Sequence, residues 1–384
     1  MKTILIINTE YKEFGGEDAN IVDEIDILSS NYKVKFVKFS NKNKLNIYHL
    51  ISFIFGANPR SNKILRDSLD KFSPDMVYIH NIWFEAGFGL FNILEKMNIP
   101  VVIKVHNYRF DCSRYFHIKK HLKDNLNCKK CYMSINKNSI FNKYFPNSYI
   151  KSFISILFSK RYFKILKNEN LTIACLTNYQ KEYLIKLGID KNKIKILNNP
   201  ILNSENKLNI YNPKSEYVVY AGRIDLTKGV EELLFCWSSM NIQNLKLKII
   251  GDGEKLVELK NKYPYSNIEF LGYLSNSETL EIISKARAVI TATKMFEGQP
   301  RLLCEASSLG VPSIYPSFGG MDEFFPSNYL LNFEQYNYDD LKRKIMILMD
   351  PSLLKDISNQ IINFLKINYS NNALLSKFDD IFES

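Results

Sequence analysis

No run of apolar residues in this sequence approaches the roughly 20 that a membrane-spanning helix needs, and there is neither an internal repeat nor a low-complexity tract beyond scattered Asn and Lys. The first absence argues against a helical membrane span. Cysteine is scarce as well. Six in 384 residues do not make a disulfide framework. The opening run Thr3-Ile4-Leu5-Ile6-Ile7-Asn8 is too short for the core of an export signal and reads as a buried first strand. The expectation is a cytoplasmic protein with reduced thiols, in which Cys175, Cys236 and Cys304 are small core residues.

What is present describes a globular chain: 46% hydrophobic and 24% charged residues, enough to fill cores and too apolar for disorder. The length exceeds one ordinary domain and predicts two of similar size. Lys and Arg outnumber Asp and Glu by 51 to 40, a net charge of +11. Part of this reflects a coding bias toward Lys, Asn and Ile. The remainder points to partners: nucleic acid, an anionic membrane face or a phosphate-bearing ligand.

Short apolar runs alternate with longer amphipathic stretches. Candidate strands are Ile4–Ile7, Lys33–Phe39, Met76–His80, Val101–Val105 and Leu171–Leu176, with helical periodicity over Ile21–Ser29 and Phe88–Met97. The rhythm restarts at Tyr217–Ala221, Lys246–Gly251, Ile268–Leu271, Ala288–Thr291 and Pro312–Tyr315. Such alternation predicts an α/β protein with two parallel sheets. The break falls in the polar, turn-rich stretch Asn198–Pro213. The expected domains are residues 1–200 and 201–365, with a last helix over about 366–384 packing back onto the first. A ligand would sit in the cleft between them, at the carboxyl ends of the strands.

Two segments of the second half carry chemistry. After the strand at Tyr217 comes Ala221-Gly222-Arg223-Ile224-Asp225-Leu226-Thr227-Lys228-Gly229, then a helical stretch from Val230. Glycine permits close backbone approach, a helix start offers N–H groups to phosphate, and Arg223 and Lys228 add two cations. Taken alone, the segment reads equally as a solvated basic loop. Farther on, Glu297-Gly298-Gln299-Pro300-Arg301-Leu302-Leu303-Cys304-Glu305 places two carboxylates around a helix start near Pro300. They suit sugar and ribose hydroxyls, or Glu305 is simply an acid stabilised by the helix dipole.

Gly15-Gly16, His106, Gly222-Arg223 with Lys228-Gly229, Gly251-Asp252-Gly253, and Glu297 with Glu305 together resemble glycosyltransferase family four, in order and over nearly the whole chain. The similarity is closest to members with Gly-Gly-Glu-Asp near the N-terminus, here Gly15-Gly16-Glu17-Asp18. Those members also carry His-Asp/Asn-Tyr-Arg followed by cysteines, here His106-Asn107-Tyr108-Arg109 with Cys112, Cys128 and Cys131. The resemblance implies a GT-B fold, two Rossmann-like domains facing across a cleft. It further implies a nucleotide-diphosphate sugar as co-substrate on the C-terminal domain, an acceptor on the N-terminal one, and retaining transfer. Arg223 and Lys228 would neutralise the diphosphate, Glu297 would hold the sugar and Glu305 the ribose. Gly222, Gly251, Gly298, Gln299 and Pro300 would line the donor. Gly15 and Gly16 would let the N-terminal loop approach the phosphate, and His106 would stand beside the reacting carbon. Two cations at the leaving group take the part a metal plays elsewhere. With no Asp-x-Asp after a strand (Asp339-Asp340 lies in a late polar segment), neither a catalytic metal nor another cofactor is expected.

The sequence departs from the family at Gly319-Gly320-Met321-Asp322-Glu323, where an aspartate replaces the proline of Gly-Gly-x-Pro-Glu and the loop must do without the ring's stiffness. Gln299 stands where many relatives carry an aromatic. His80 ends a neighbouring strand and reads as structural. Cys112, Cys128 and Cys131, with His117 and His121 between, either ligate a structural zinc or form a reduced pair in a Lys-rich loop. Tyr149–Lys167 mixes apolar and basic residues and suits either an anionic membrane face or a buried Rossmann helix, and Tyr48–Phe55 poses the same choice. The expectation is peripheral attachment to the inner membrane face. The expected acceptor is a glycan or polyprenyl-diphosphate-linked glycan, in surface-polysaccharide assembly of the lipopolysaccharide O-antigen or capsule type. A nucleotide-sugar 2-epimerase of the same fold would need acid–base carboxylates and histidines in place of these cations and acids. A nucleic-acid-binding protein would show a module or a basic patch with stacking aromatics, and neither is present.

Overall fold

The computed structural model describes residues 1–10, 16–40, 56–108, 110, 148–167, 171–201, 211–240, 242 and 244–383. Gly15, Arg109, Cys112, His117, His121, Cys128 and Cys131 lie outside the described residues, and with them the zinc expectation; so does Tyr48–Phe55. The chain divides into two compact units. Among the described residues the first takes in the strands up to Ile196 together with the last helix, Asn371–Phe382, and the second runs from Ile201 to Ser370.

The first unit holds a parallel sheet of β1 (Thr3–Glu10), β2 (Lys33–Ser40), β3 (Met76–Asn81), β4 (Val101–Val105), β5 (Leu171–Cys175) and β6 (Ile194–Ile196), in the order β2-β1-β3-β4-β5-β6. Seven of the eight residues of β1 and all of β3 and β4 are buried. Central strands of a parallel sheet are covered on both faces and therefore read as continuous apolar runs. The second unit repeats the plan with β7 (Tyr217–Ala221), β8 (Lys246–Ile250), β9 (Ile268–Gly272), β10 (Val289–Ile290), β11 (Ser313–Ser317) and β12 (Asn332–Glu334), in the order β12-β11-β10-β7-β8-β9. All ten expected strands form. Two more, β6 and β12, are three residues each, too short to show a period. β3 continues through His80 to Asn81, and the helix expected at Ile21 begins at Gly16.

The helix Asn371–Phe382 presents Leu374, Phe378 and Ile381 at helical spacing to one face of the first sheet, against Ile4, Ile6, Met76 and Tyr78. The Phe378 ring meets Tyr78 and Tyr32 edge-on, with centroids 5.2 and 5.4 Å away. The Tyr32 hydroxyl donates to Asp379. Phe378→Ala is expected to lower the stability of the first unit by about 3–5 kcal/mol, read as a shifted urea midpoint at unchanged slope; a midpoint at the wild-type value would show this face is not a core.

Candidate functional site

In the second sheet β7 leads to β8 on one side and lies against β10 on the other, so the strand order reverses between β7 and β10. Open α/β sheets bind ligands at such a switch point, outside the strand carboxyl ends. The loops after β7 and β10 meet there. Asp225 shapes the first: its Oδ1 accepts from the Thr227 and Lys228 amides at 2.8 and 3.1 Å and from the Thr227 hydroxyl at 2.5 Å. Its Oδ2 holds the Arg223 guanidinium at 2.9 Å. Gly229 then turns left-handed at φ 65°, where a Cβ would lie 1.8 Å from the Ala292 carbonyl oxygen. Only glycine lets the two loops touch this closely. The Lys294 amide donates to the Thr227 carbonyl at 3.0 Å and completes the seam.

Across that seam the Lys228 ammonium lies 2.6 Å from Glu297 Oε1, the two side chains 22% and 20% exposed. Thr293 also donates to Glu297 Oε1, at 3.3 Å. Arg223, on the same loop, is 61% exposed in its side chain. The loop after β8 closes the third side: Ile224 N donates to Asp252 O at 2.9 Å, and a Cβ on Gly251 would lie 1.9 Å from the Gly222 carbonyl oxygen. Buried Tyr220 donates its hydroxyl to Arg223 O at 2.8 Å. Burial first, then the Asp225 charge, pushes that phenol well above its ordinary range, so it stays a neutral donor.

The helix after β10 is Arg301–Ser308, with Pro300 at its N-cap. Gly298 and Gln299 complete the loop that leads into it. Glu305 is buried one turn inside and takes the Arg301 Nε at 2.6 Å. Cys304, beside it, is pushed up to about 12 by burial, an inert thiol. The structure thus brings Arg223, Lys228 and Glu297 to one seam, and Glu305 pairs with Arg301. Gly319, at φ 68°, lies against Phe296, where a Cβ would meet the ring at 2.5 Å. The stiffness a proline would have given this loop is supplied by Asp322 itself. Its carboxylate accepts from Tyr315 at 3.1 Å, Asn332 at 3.0 Å and Ser317 at 2.5 Å.

In the first unit His106 follows β4, and its Nε2 lies 2.9 Å from Nδ1 of His80 in β3. Gly16 is the exposed first residue of the helix Gly16–Leu28. Beneath the histidines, Lys104 and Glu24 pair at 2.7 and 2.9 Å with both side chains fully buried. Tyr78 donates to Glu24 at 2.8 Å, and Lys104 donates to Asn198 O at 3.2 Å.

The family model described as glycosyl transferases group 1 matches residues 203–364, the span that contains β7 to β12 and every loop of this seam. Residues 203–364 form a glycosyl transferases group 1 domain. The amylovoran biosynthesis glycosyltransferase AmsD of Erwinia amylovora is 31% identical to the chain over 147 residues, 37% of this chain and 42% of that protein. An uncharacterized 41.2 kDa protein in the cps region of Klebsiella pneumoniae is 25% identical over 199 residues, 49% and 53% of the two. The chain spans about half the length of the curated relatives it matches. Among solved structures, sucrose-phosphate synthase from Thermosynechococcus elongatus superposes with TM-score 0.71 at 13% identity, over 100% of this chain and 98% of that one. Anabaena HepE in complex with UDP-glucose superposes with TM-score 0.67 at 12% identity, over 100% of both chains. At this identity the likeness is one of fold, and the fold is GT-B.

Within the group 1 domain, Asp225, Thr293 and Arg301 were not singled out by sequence. The Asp225-x-Thr227 spacing is an Asx-turn signal, and Arg301 stands four residues before Glu305. Lys104, also missed, was visible as a lone charge in the apolar run Val101–Val105. Lys104→Met, which leaves Glu24 buried without its cation, is expected to cost about 3–5 kcal/mol in urea unfolding of the full chain. Lys104→Met with Glu24→Leu is expected to recover most of that loss; a double-variant loss equal to the sum of the two single-variant losses would mean the charges act independently.

Proposed function

We propose that the chain is a retaining glycosyltransferase of family four. It moves a sugar from a nucleotide diphosphate onto a glycan or polyprenyl-diphosphate-linked acceptor, in bacterial surface-polysaccharide assembly of the O-antigen or capsule type. The observation that carries this reading is the Lys228–Glu297 pair at the switch point of the group 1 domain. Breaking a sugar–phosphate bond leaves negative charge on the diphosphate and positive charge on the sugar ring. A cation and a carboxylate brought to one seam can stabilise one each once the ligand takes the place of their mutual contact. Lys228 has three N–H donors to offer a diphosphate, and Arg223 can add a bidentate clamp. Glu297 would accept from donor-sugar hydroxyls, Glu305 from the ribose, and His106 would stand at the reacting carbon. The name of the Erwinia relative supports a polysaccharide role, and the UDP-glucose complex of HepE supports a uridine donor.

The helix Tyr149–Leu166 supports a peripheral membrane role. Ile150, Phe153 and Leu157 are 74%, 57% and 41% exposed, spaced along one face, and exposed Lys160, Arg161 and Lys164 continue it. An apolar stretch followed by three cations fits an anionic bilayer surface.

UDP is expected to raise the melting temperature of the protein, and GDP and ADP less. Lys228→Ala should weaken UDP binding about 10- to 100-fold, the loss of one charge-assisted contact. Glu297→Ala should leave UDP binding near wild type yet abolish transfer from the nucleotide sugar. No shift with any nucleoside diphosphate, or an altered sugar formed without acceptor, would overturn the reading. For the membrane, sedimentation with vesicles of phosphatidylglycerol but not phosphatidylcholine is expected, and Phe153→Glu should cut it at least several-fold. Equal binding by the variant would remove this helix as the docking face.

A further inference from the structure

We infer that the cavity between the helices Gly89–Met97 and Tyr149–Leu166 of the first unit is a phosphate site, in which Arg161 and Lys164 hold the diphosphate of a lipid-linked acceptor. The phosphate rests on the lining and its charge; its assignment to an acceptor rests on the transferase reading above.

The cavity measures about 230 Å³. Its buried base is backbone, at Gly56 and Gly89, with the Phe88 ring beside it. Gly56 is left-handed at φ 72°, and a Cβ there would lie 3.0 Å from Arg161 Nη1 and 3.5 Å from Phe88. The guanidinium is therefore laid against bare backbone at the cavity wall. Lys164, three residues on, and Asn92 from the other helix supply the remaining polar groups. Among the described residues the lining holds two cations and no acid. Arginine can clamp two phosphate oxygens at once, lysine adds a point charge, and the asparagine amide adds N–H donors.

What carries the phosphate follows from the rest of the helix. Exposed Ile150, Phe153 and Leu157 precede Arg161 and Lys164 at intervals of three or four residues, which puts all five on one face. Apolar exposure ends where the cavity begins. A molecule with a hydrocarbon chain and an ionic head matches that order, whereas an inorganic anion would use only half of it. Two cations side by side suit a diphosphate better than the single charge of a phospholipid phosphate. Tyr162, next to Arg161 in the chain, is buried and lines the pocket that holds His106. One turn of helix thus grips the charged head and borders the pocket where, on the transferase reading, the acceptor reacts.

Sedimentation of the full chain with doped phosphatidylcholine vesicles tests this without any transfer. Vesicles carrying undecaprenyl diphosphate are expected to bind it at least about tenfold more tightly than vesicles carrying phosphatidylglycerol at the same surface charge. Arg161→Gln with Lys164→Gln should abolish that preference. Lys186→Gln with Lys191→Gln, an equal loss of charge at exposed positions of another helix and turn, should keep it. In transfer assays the Arg161/Lys164 variant should raise KM for a polyprenyl-diphosphate acceptor about 10- to 100-fold and leave that for the nucleotide sugar within about threefold. Equal binding of both vesicle types by the wild type, or the same preference in the Arg161/Lys164 variant, overturns the inference. Inorganic pyrophosphate that displaces the chain at the concentration of the lipid diphosphate overturns it too, because the site would then be one for a soluble anion. Diphosphate preference with no thermal shift by UDP would instead fault the function proposed above, and a UDP shift without the preference would fault this site alone.

Discussion

The contact between Lys228 and Glu297 is the constraint that ties the loops after β7 and β10 together, and its strength matters as much as its position. At about one-fifth exposure such a pair contributes little to folding, on the order of 1 kcal/mol or less. Its work is to aim. Asp225 fixes the loop that carries the lysine, Gly229 allows that loop to touch Ala292, and Thr293 steadies the carboxylate. A pair this weak can also be given up. In the proposed reaction a pyrophosphate would draw Lys228 from Glu297, which would leave the carboxylate for hydroxyl groups. Partners are exchanged, and no charge is stripped of solvent without compensation.

The first unit uses charge in the opposite way. Lys104 and Glu24 are fully buried, so neither can be released without leaving the other stranded in a low-dielectric core. They are scaffolding. Their cost is offset by Tyr78 and the Asn198 carbonyl, which fill the remaining hydrogen-bond positions. The result is a rigid polar floor under His80 and His106. One unit therefore carries a replaceable ion pair at its loops and the other a permanent one beneath its strands.

Much of this was legible in the residues. Continuous apolar runs identified ten strands because parallel strands are covered on both faces, and the glycines and charges after Ala221 and before Pro300 identified the loops that carry the seam. Strands β6 and β12 were not legible, because three residues cannot display a period. Which charges pair was hidden too: Lys228 and Glu297 are 69 residues apart, and only the strand order brings them together. His80 read as structural because a lone histidine in an apolar strand usually is; its bond to His106 comes from the adjacency of β3 and β4. Asp322 reads in the sequence as a lost proline. The three donors that pin it come from β11 and from Asn332 at the start of β12, and no local pattern announces them.

The helix Asn371–Phe382 has a consequence for the order of events during synthesis. It supplies Leu374, Phe378 and Ile381 to a core otherwise built by residues before Leu197 and by Leu197 itself. The ribosome makes the whole second unit in the interval. The nascent first unit must therefore wait with an apolar face uncovered for some 170 residues, roughly 10–30 s at ordinary elongation rates. The half translated first is the half completed last.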